Sequence, residues 1–164
     1  CEKATAFGMD VLTFDPYLSE EDVEGTSATL VDDLETLLER SDSVSVHTPL
    51  TPETEDMIST DEFARMKDSA FIVNPARGGI IDESALTDAI ENGEIAGAGL
   101  DVLADEPPEE GGKLMELDQV ILTPHAAWNS AESVVELREK AARNVRATLE
   151  GGVPEYLIND DVRQ

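Results

Sequence analysis

Apolar and polar positions alternate along the chain in two periods, and the switches between them mark the elements. Runs at Met9 to Phe14, Ser43 to Val46, Ala70 to Val73, Ile95 to Leu103 and Val120 to Leu122 read as strands. Between them the three-and-four spacing of helices recurs. Glu2 to Phe7 reads as the end of a helix that Gly8 terminates, and Asp33 to Arg40 carries Leu34, Leu37 and Leu38 on one side. Ser59-Thr60-Asp61-Glu62 has the form of a capping box opening a short helix to about Met66. Asp82 caps a helix over Glu83 to Asn92, with Gly93 ending it. Ser130 caps the longest helix, to about Glu150, along which Val134, Leu137, Ala141, Val145 and Leu149 follow helical spacing. The acidic stretch from Pro16 to Gly25 shows no period, and Thr48-Pro49-Leu50-Thr51-Pro52 is a loop because proline gives no donor to a ladder. Gly97-Ala98-Gly99 reads as a tightly packed strand. Strand and helix alternate without internal repeat, which predicts an α/β fold with a parallel sheet and helices on both faces.

Charge narrows the partners. Among 164 residues, 11 Lys and Arg face 37 Asp and Glu, a formal charge of -26. Such a surface repels nucleic acid and anionic membranes. Self-repulsion on this scale is relieved by screening, so a salt-rich, halophilic cytoplasm is expected. The single cysteine, Cys1, forms no internal disulfide and fits a reducing compartment. No apolar run approaches the roughly 18 residues of a membrane span, and nothing has the form of a signal peptide. The chain opens on Cys1 in mid-helix, so the natural N-terminus is expected to lie upstream. The expected localisation is cytoplasmic.

Three polar side chains follow three of the strands: Arg77 in Asn74-Pro75-Ala76-Arg77-Gly78-Gly79, Glu106 in Asp105-Glu106-Pro107-Pro108, and His125 in Thr123-Pro124-His125-Ala126-Ala127. Open α/β sheets bind ligands beyond the carboxyl ends of their strands, so the three are expected in one crevice. A cation for an anionic substrate, an imidazole to move a proton and a carboxylate to hold the imidazole suit carbonyl reduction or alcohol oxidation. Two histidines and one terminal cysteine give no metal cluster, and Ser130 and Ser133 lack a nucleophile elbow. His47 reads as a strand-end or loop residue, whereas Trp128 either walls the pocket or packs a helix start. Gly78-Gly79 would let the backbone approach a ligand.

Together with Phe14-Asp15-Pro16-Tyr17, Val46-His47-Thr48-Pro49-Leu50 and Gly99-Leu100-Asp101-Val102, these motifs resemble the NAD-binding domain of the D-isomer-specific 2-hydroxyacid dehydrogenases, from about Glu2 to Asn159. The resemblance points to the phosphoglycerate dehydrogenase branch. From His125 through Leu137-Arg138 to Gly152-Val153-Pro154-Glu155, the tail is similar to the branch containing C-terminal-binding corepressors. The implied fold is a Rossmann-like doubly wound parallel sheet, incomplete at its N-terminal edge because the first strand and Gly-rich turn would precede Cys1. Residues 1–152 would be a partial NAD-binding domain, and residues 153–164 a tail leading back to the substrate domain.

The implied activity is NAD-dependent hydride transfer on a D-2-hydroxy or 2-keto acid by a homodimer. Arg77 would clamp the substrate carboxylate, His125 would be the acid/base, and Glu106 would fix its tautomer and raise its pKa. Cofactor contacts are expected from Asp15, Thr48, Pro49, Pro75, Ala76, Arg77, Asp101, His125, Ala126 and Ala127. Asp15, at the end of a strand, can accept both ribose hydroxyls and would repel a 2′-phosphate, which favours NAD over NADP. The competing readings are an NADH-sensing binding module without catalysis and an inactive fragment that binds NADH poorly.

Overall fold

The computed structural model describes residues 1–108 and 111–157. Glu109 and Glu110 of the acidic run, and residues 158–164 of the expected tail with Arg163, lie outside the described residues. The chain divides into two compact units, Cys1–His125 and Ala126–Gln164.

In the first unit, all strand pairs are parallel, as the alternation predicts. β1 (Val11–Thr13) pairs with β2 (Ala28–Leu30). A second sheet has the order β3 (Ser43–Ser45), β4 (Phe71–Asn74), β5 (Gly97–Leu100), β6 (Val120–Leu122). The six strands thus form two sheets.

Short helices complete the crossovers: α1 (Glu2–Ala6), α2 (Glu20–Val23), α3 (Leu34–Arg40), α4 (Thr60–Phe63), α5 (Glu83–Asn92) and α6 (Lys113–Glu116). Their ends match the polar signals. The capping box at Ser59 and Glu62 forms, Asp82 accepts from the Ser84 and Ala85 amides, and Gly93 closes α5 at φ 74. Ser59 Oγ also donates to Asp82 Oδ2 at 3.0 Å, so one carboxylate caps α5 and ties it to the start of α4.

The aperiodic acidic stretch does hold structure. α2 begins at a second box, Ser19 with Asp22, and β2 follows at Ala28. Glu-Glu-Asp-Val and Ala-Thr-Leu offer too few apolar positions inside an acidic stretch for the pattern to find them.

The core sits under the second sheet. Leu38, Val44, Ile58, Phe63, Ile72, Ile80, Leu86, Ile95 and Leu100 are buried in one cluster. Alternate residues point the other way, and there the unit leaves the sheet open: Phe71 is 50 % exposed and Ile121 70 %. The parallel α/β architecture is the Rossmann-like fold that the resemblance implied.

The second unit is built on α7 (Ala131–Leu149). Ser130 Oγ accepts from the Ser133 amide at 3.0 Å, and Gly151 follows the helix at φ 76. Charged pairs at i,i+4, such as Lys140 with Glu136 and Arg146 with Glu150, line its surface. Among the described residues, no helix is long and apolar enough to cross a membrane.

Candidate active site

The loop after β4 carries the first component. Asn74, 1 % exposed, ends the strand, and Pro75 has no amide to close a turn. The Asn74 side chain closes it instead: Oδ1 accepts from the Ala76 amide at 3.0 Å and Nδ2 donates to the Arg77 carbonyl at 2.8 Å. The Arg77 side chain is exposed, and Nη1 donates to the Ala76 carbonyl at 2.6 Å. In so acidic a protein an arginine is expected to hold a carboxylate, yet no ion pair to Arg77 occurs among the described residues. It lines an open cleft of about 740 Å³ with His47, Thr48, Pro49, Leu50 and Ala76.

Gly78 and Gly79 were expected to admit a ligand, and the structure gives them other work. A Cβ on Gly78 would strike the Leu103 carbonyl and the Ala104 amide, and one on Gly79 would meet the Leu50 side chain at 3.3 Å. Gly78 is needed because two backbone segments touch there, which seats the Arg77 loop against the loop that carries Glu106.

That second loop is tightly held. Glu106 Oε1 accepts from the Leu103 amide at 3.0 Å, and Glu83, in the first turn of α5, accepts from the Ala104 amide. Glu106 Oε2 then meets His125 Nδ1 at 2.7 Å. The hydrogen bond with His125, and after it the Leu103 amide, lowers the Glu106 pKa below its ordinary value. Glu106 therefore stays ionised at neutral pH and takes the Nδ1 proton as acceptor, so proton exchange with a ligand falls to Nε2. His125 itself adopts φ 50, with its amide on the Thr123 carbonyl at 2.9 Å, a tight turn at the residue whose ring meets Glu106.

Asp101, at the end of β5, is 7 % exposed and accepts from the Thr123 hydroxyl. Its amide donates to the Asn74 carbonyl at 3.0 Å. Asp15 lies two residues beyond β1, half-buried, with Oδ1 on the Tyr17 amide at 2.9 Å. Thr48 and Pro49 follow β3, where the Thr54 hydroxyl holds the Pro49 carbonyl at 2.6 Å. Pro75 is half-buried beside Ala76. Ala126, Ala127 and Trp128 open the second unit, where the Ala126 carbonyl accepts from the Asn129 amide at 2.9 Å.

The structure thus pairs Glu106 with His125, abuts the Glu106 loop with that of Arg77, and sets Thr48, Pro49, Ala76 and Arg77 around one cleft. Asp15 stands apart on the other sheet. Two cleft-side residues were overlooked. His47, read as a bystander, lines the cleft and shares a 2.9 Å hydrogen bond with Ser45. Asn74 carries a signal that the sequence did offer, an Asn-Pro step at a strand end. Among the described residues no group of three ligating side chains could hold a metal.

Parallel strands whose carboxyl ends present a carboxylate-held imidazole beside an arginine-lined cleft define a ligand-binding α/β domain equipped for proton transfer. More particularly, the chain belongs to the D-isomer specific 2-hydroxyacid dehydrogenases, whose NAD binding domain model matches residues 1–127. It is 40% identical over 158 residues to a D-3-phosphoglycerate dehydrogenase of Methanocaldococcus jannaschii, covering 96% of this chain and 30% of that protein. It is 43% identical over 152 residues to a glycerate dehydrogenase of Methylorubrum extorquens, covering 92% of this chain and 46% of that one. A solved D-isomer specific 2-hydroxyacid dehydrogenase from Lactobacillus delbrueckii ssp. bulgaricus, in its NAD complexed form, superposes with a TM-score of 0.85 at 34% identity, over 96% of this chain and 51% of its own. The chain therefore spans about half the length, or less, of these proteins.

Proposed function

We propose that the protein containing this chain is an NAD-dependent oxidoreductase acting on the CH–OH group of a D-2-hydroxy acid and, in reverse, on the 2-keto acid. The observation that carries the reading is the 2.7 Å contact of Glu106 with His125 Nδ1 at the strand ends. Arg77 offers a planar fork of donors to the substrate carboxylate, a geometry that lysine cannot reproduce. In oxidation His125 Nε2 accepts the hydroxyl proton, and the Glu106 carboxylate stabilises the imidazolium that forms. In reduction the same imidazolium returns the proton to the oxygen of the new alcohol.

The residues fit NAD at two places. The Asp15 carboxylate lies beyond a strand end, where the ribose diol is held and a 2′-phosphate would be repelled. Thr48, Pro49, Pro75, Ala76 and Arg77 would hold it along the cleft, and Asp101, His125, Ala126 and Ala127 at the nicotinamide end. Bound NAD supplies the acceptor or donor of the hydride. No Gly-x-Gly-x-x-Gly turn for the pyrophosphate occurs in the sequence. A pure NADH sensor has no need of the Glu106–His125 pair, which weighs against that alternative.

The decisive experiment is steady-state turnover of the full-length protein with NADH and a panel of small 2-keto acids. His125→Ala is expected to lower kcat by about 10²- to 10⁴-fold, and Arg77→Ala to abolish measurable turnover. Retention of full activity by either variant overturns the assignment. We propose further that residues 1–152 belong to the nucleotide domain, with 153–164 leading back to a substrate domain, and that the protein is a cytoplasmic homodimer without nucleic-acid or membrane partners. The formal charge of -26 supports a halophilic setting. The unfolding midpoint should then rise steeply between low and molar KCl, and equal midpoints would remove that part of the proposal.

A further inference from the structure

We propose that Asn74 is a positioning residue, whose carboxamide holds the Arg77 backbone where the guanidinium can receive a substrate carboxylate. This rests on the dehydrogenase reading above. The side chain is 1 % exposed and makes two bonds, one to each cleft-lining residue that follows Pro75: from the Ala76 amide at 3.0 Å and to the Arg77 carbonyl at 2.8 Å. Only a carboxamide presents a donor and an acceptor together at this length. Serine is too short, and aspartate sets a carboxylate oxygen against the Arg77 carbonyl.

The strand itself does not depend on that side chain. The bond from the Asp101 amide reaches the Asn74 backbone carbonyl at 3.0 Å, so β4 and β5 stay paired when the carboxamide is lost. Through that same residue the Arg77 loop is registered against the strand end that carries Asp101. On its far side the loop is fixed by Gly78 against Leu103 and Ala104. Arg77 is thus held from both flanks while its side chain stays exposed to the cleft.

The test uses the full-length protein. In Asn74→Asp, the KM for the 2-keto acid should rise about tenfold, the effect of losing one charge-assisted hydrogen bond from a displaced Arg77 to the carboxylate. The circular dichroism should stay that of the wild type, while the melting temperature falls because a buried polar group is left unpaired. Combined with Arg77→Lys, the second change should add nothing to KM, because both act on one contact. An unchanged KM in Asn74→Asp, or effects that multiply in the double variant, would overturn the proposal. If Asn74→Asp fails to fold, amide hydrogen exchange in the wild type decides instead. The Ala76 amide should be protected to the level of β4 although it lies in a loop, and exchange at the rate of an open loop overturns the proposal. The exchange experiment needs no turnover, so a protein inactive on every 2-keto acid with a protected Ala76 amide would sink the dehydrogenase reading and leave the clasp standing.

Discussion

The two sheets of the first unit differ sharply in how they are held. Around β3 to β6, three strands contribute to one buried cluster and β6 packs against it, and three of the loops at the carboxyl ends are pinned by a side chain: Asn74 for the Arg77 loop, Glu83 for the Glu106 loop, Thr54 for the Pro49 loop. Around β1 and β2 there is a pair of three-residue strands in which no residue is fully buried, with Val31 just beyond them the first to be so. The groups proposed to handle protons and the substrate carboxylate belong to the first region. Asp15, proposed for the ribose, belongs to the second. Pre-organisation is thus concentrated where small displacements are most costly to a reaction.

The sharpest way to break this comparison is to empty each region in turn. Phe63→Ala removes a fully buried ring from the main cluster and should destabilise the protein by about 3–5 kcal/mol in urea unfolding. Leu12→Ala, in half-buried β1, should cost only about 1 kcal/mol. Equal losses would show that the two sheets share one core after all.

A smaller effect separates the caps from the core. Asp82→Ala should cost about 1 kcal/mol, the usual loss for a helix cap. Its pKa is lowered, first by the Ala85 amide, with the Ser59 hydroxyl and the Ser84 amide adding to the effect. A carboxylate with a depressed folded-state pKa adds stability above its unfolded value, and that stability is lost as pH falls through the folded value. The difference between wild type and Asp82→Ala should accordingly be full at neutral pH and vanish in acid below the ordinary aspartate range. A difference independent of pH would mean that the cap acts through packing alone.

What could be read from the sequence follows the same divide. α5 was legible end to end, because a ten-residue helix has room for a cap, a period and a terminating glycine. The Arg77, Glu106 and His125 loops were legible because each follows an apolar run and carries a proline or glycine punctuation. α2 and β2 were not, since Glu-Glu-Asp-Val and Ala-Thr-Leu hold few apolar positions within an acidic stretch. The open sheet face was hidden for a different reason. Phe71 and Ile121 are apolar, so composition predicts burial, yet both face away from the buried cluster and stay exposed. Gly78 was recognised as special, but a sequence does not say whether a glycine makes room for a ligand or for another stretch of backbone.

That seam between Gly78 and the Leu103 and Ala104 peptide has a bearing on redesign. With no atom to spare on either side, the Arg77 and Glu106 loops behave as one casting, and neither can be retuned for a bulkier acid without dislodging its neighbour. Room for a different side chain must be carved from the opposite wall, where Leu50 leans over Gly79 and a change of bulk meets only another flexible side chain.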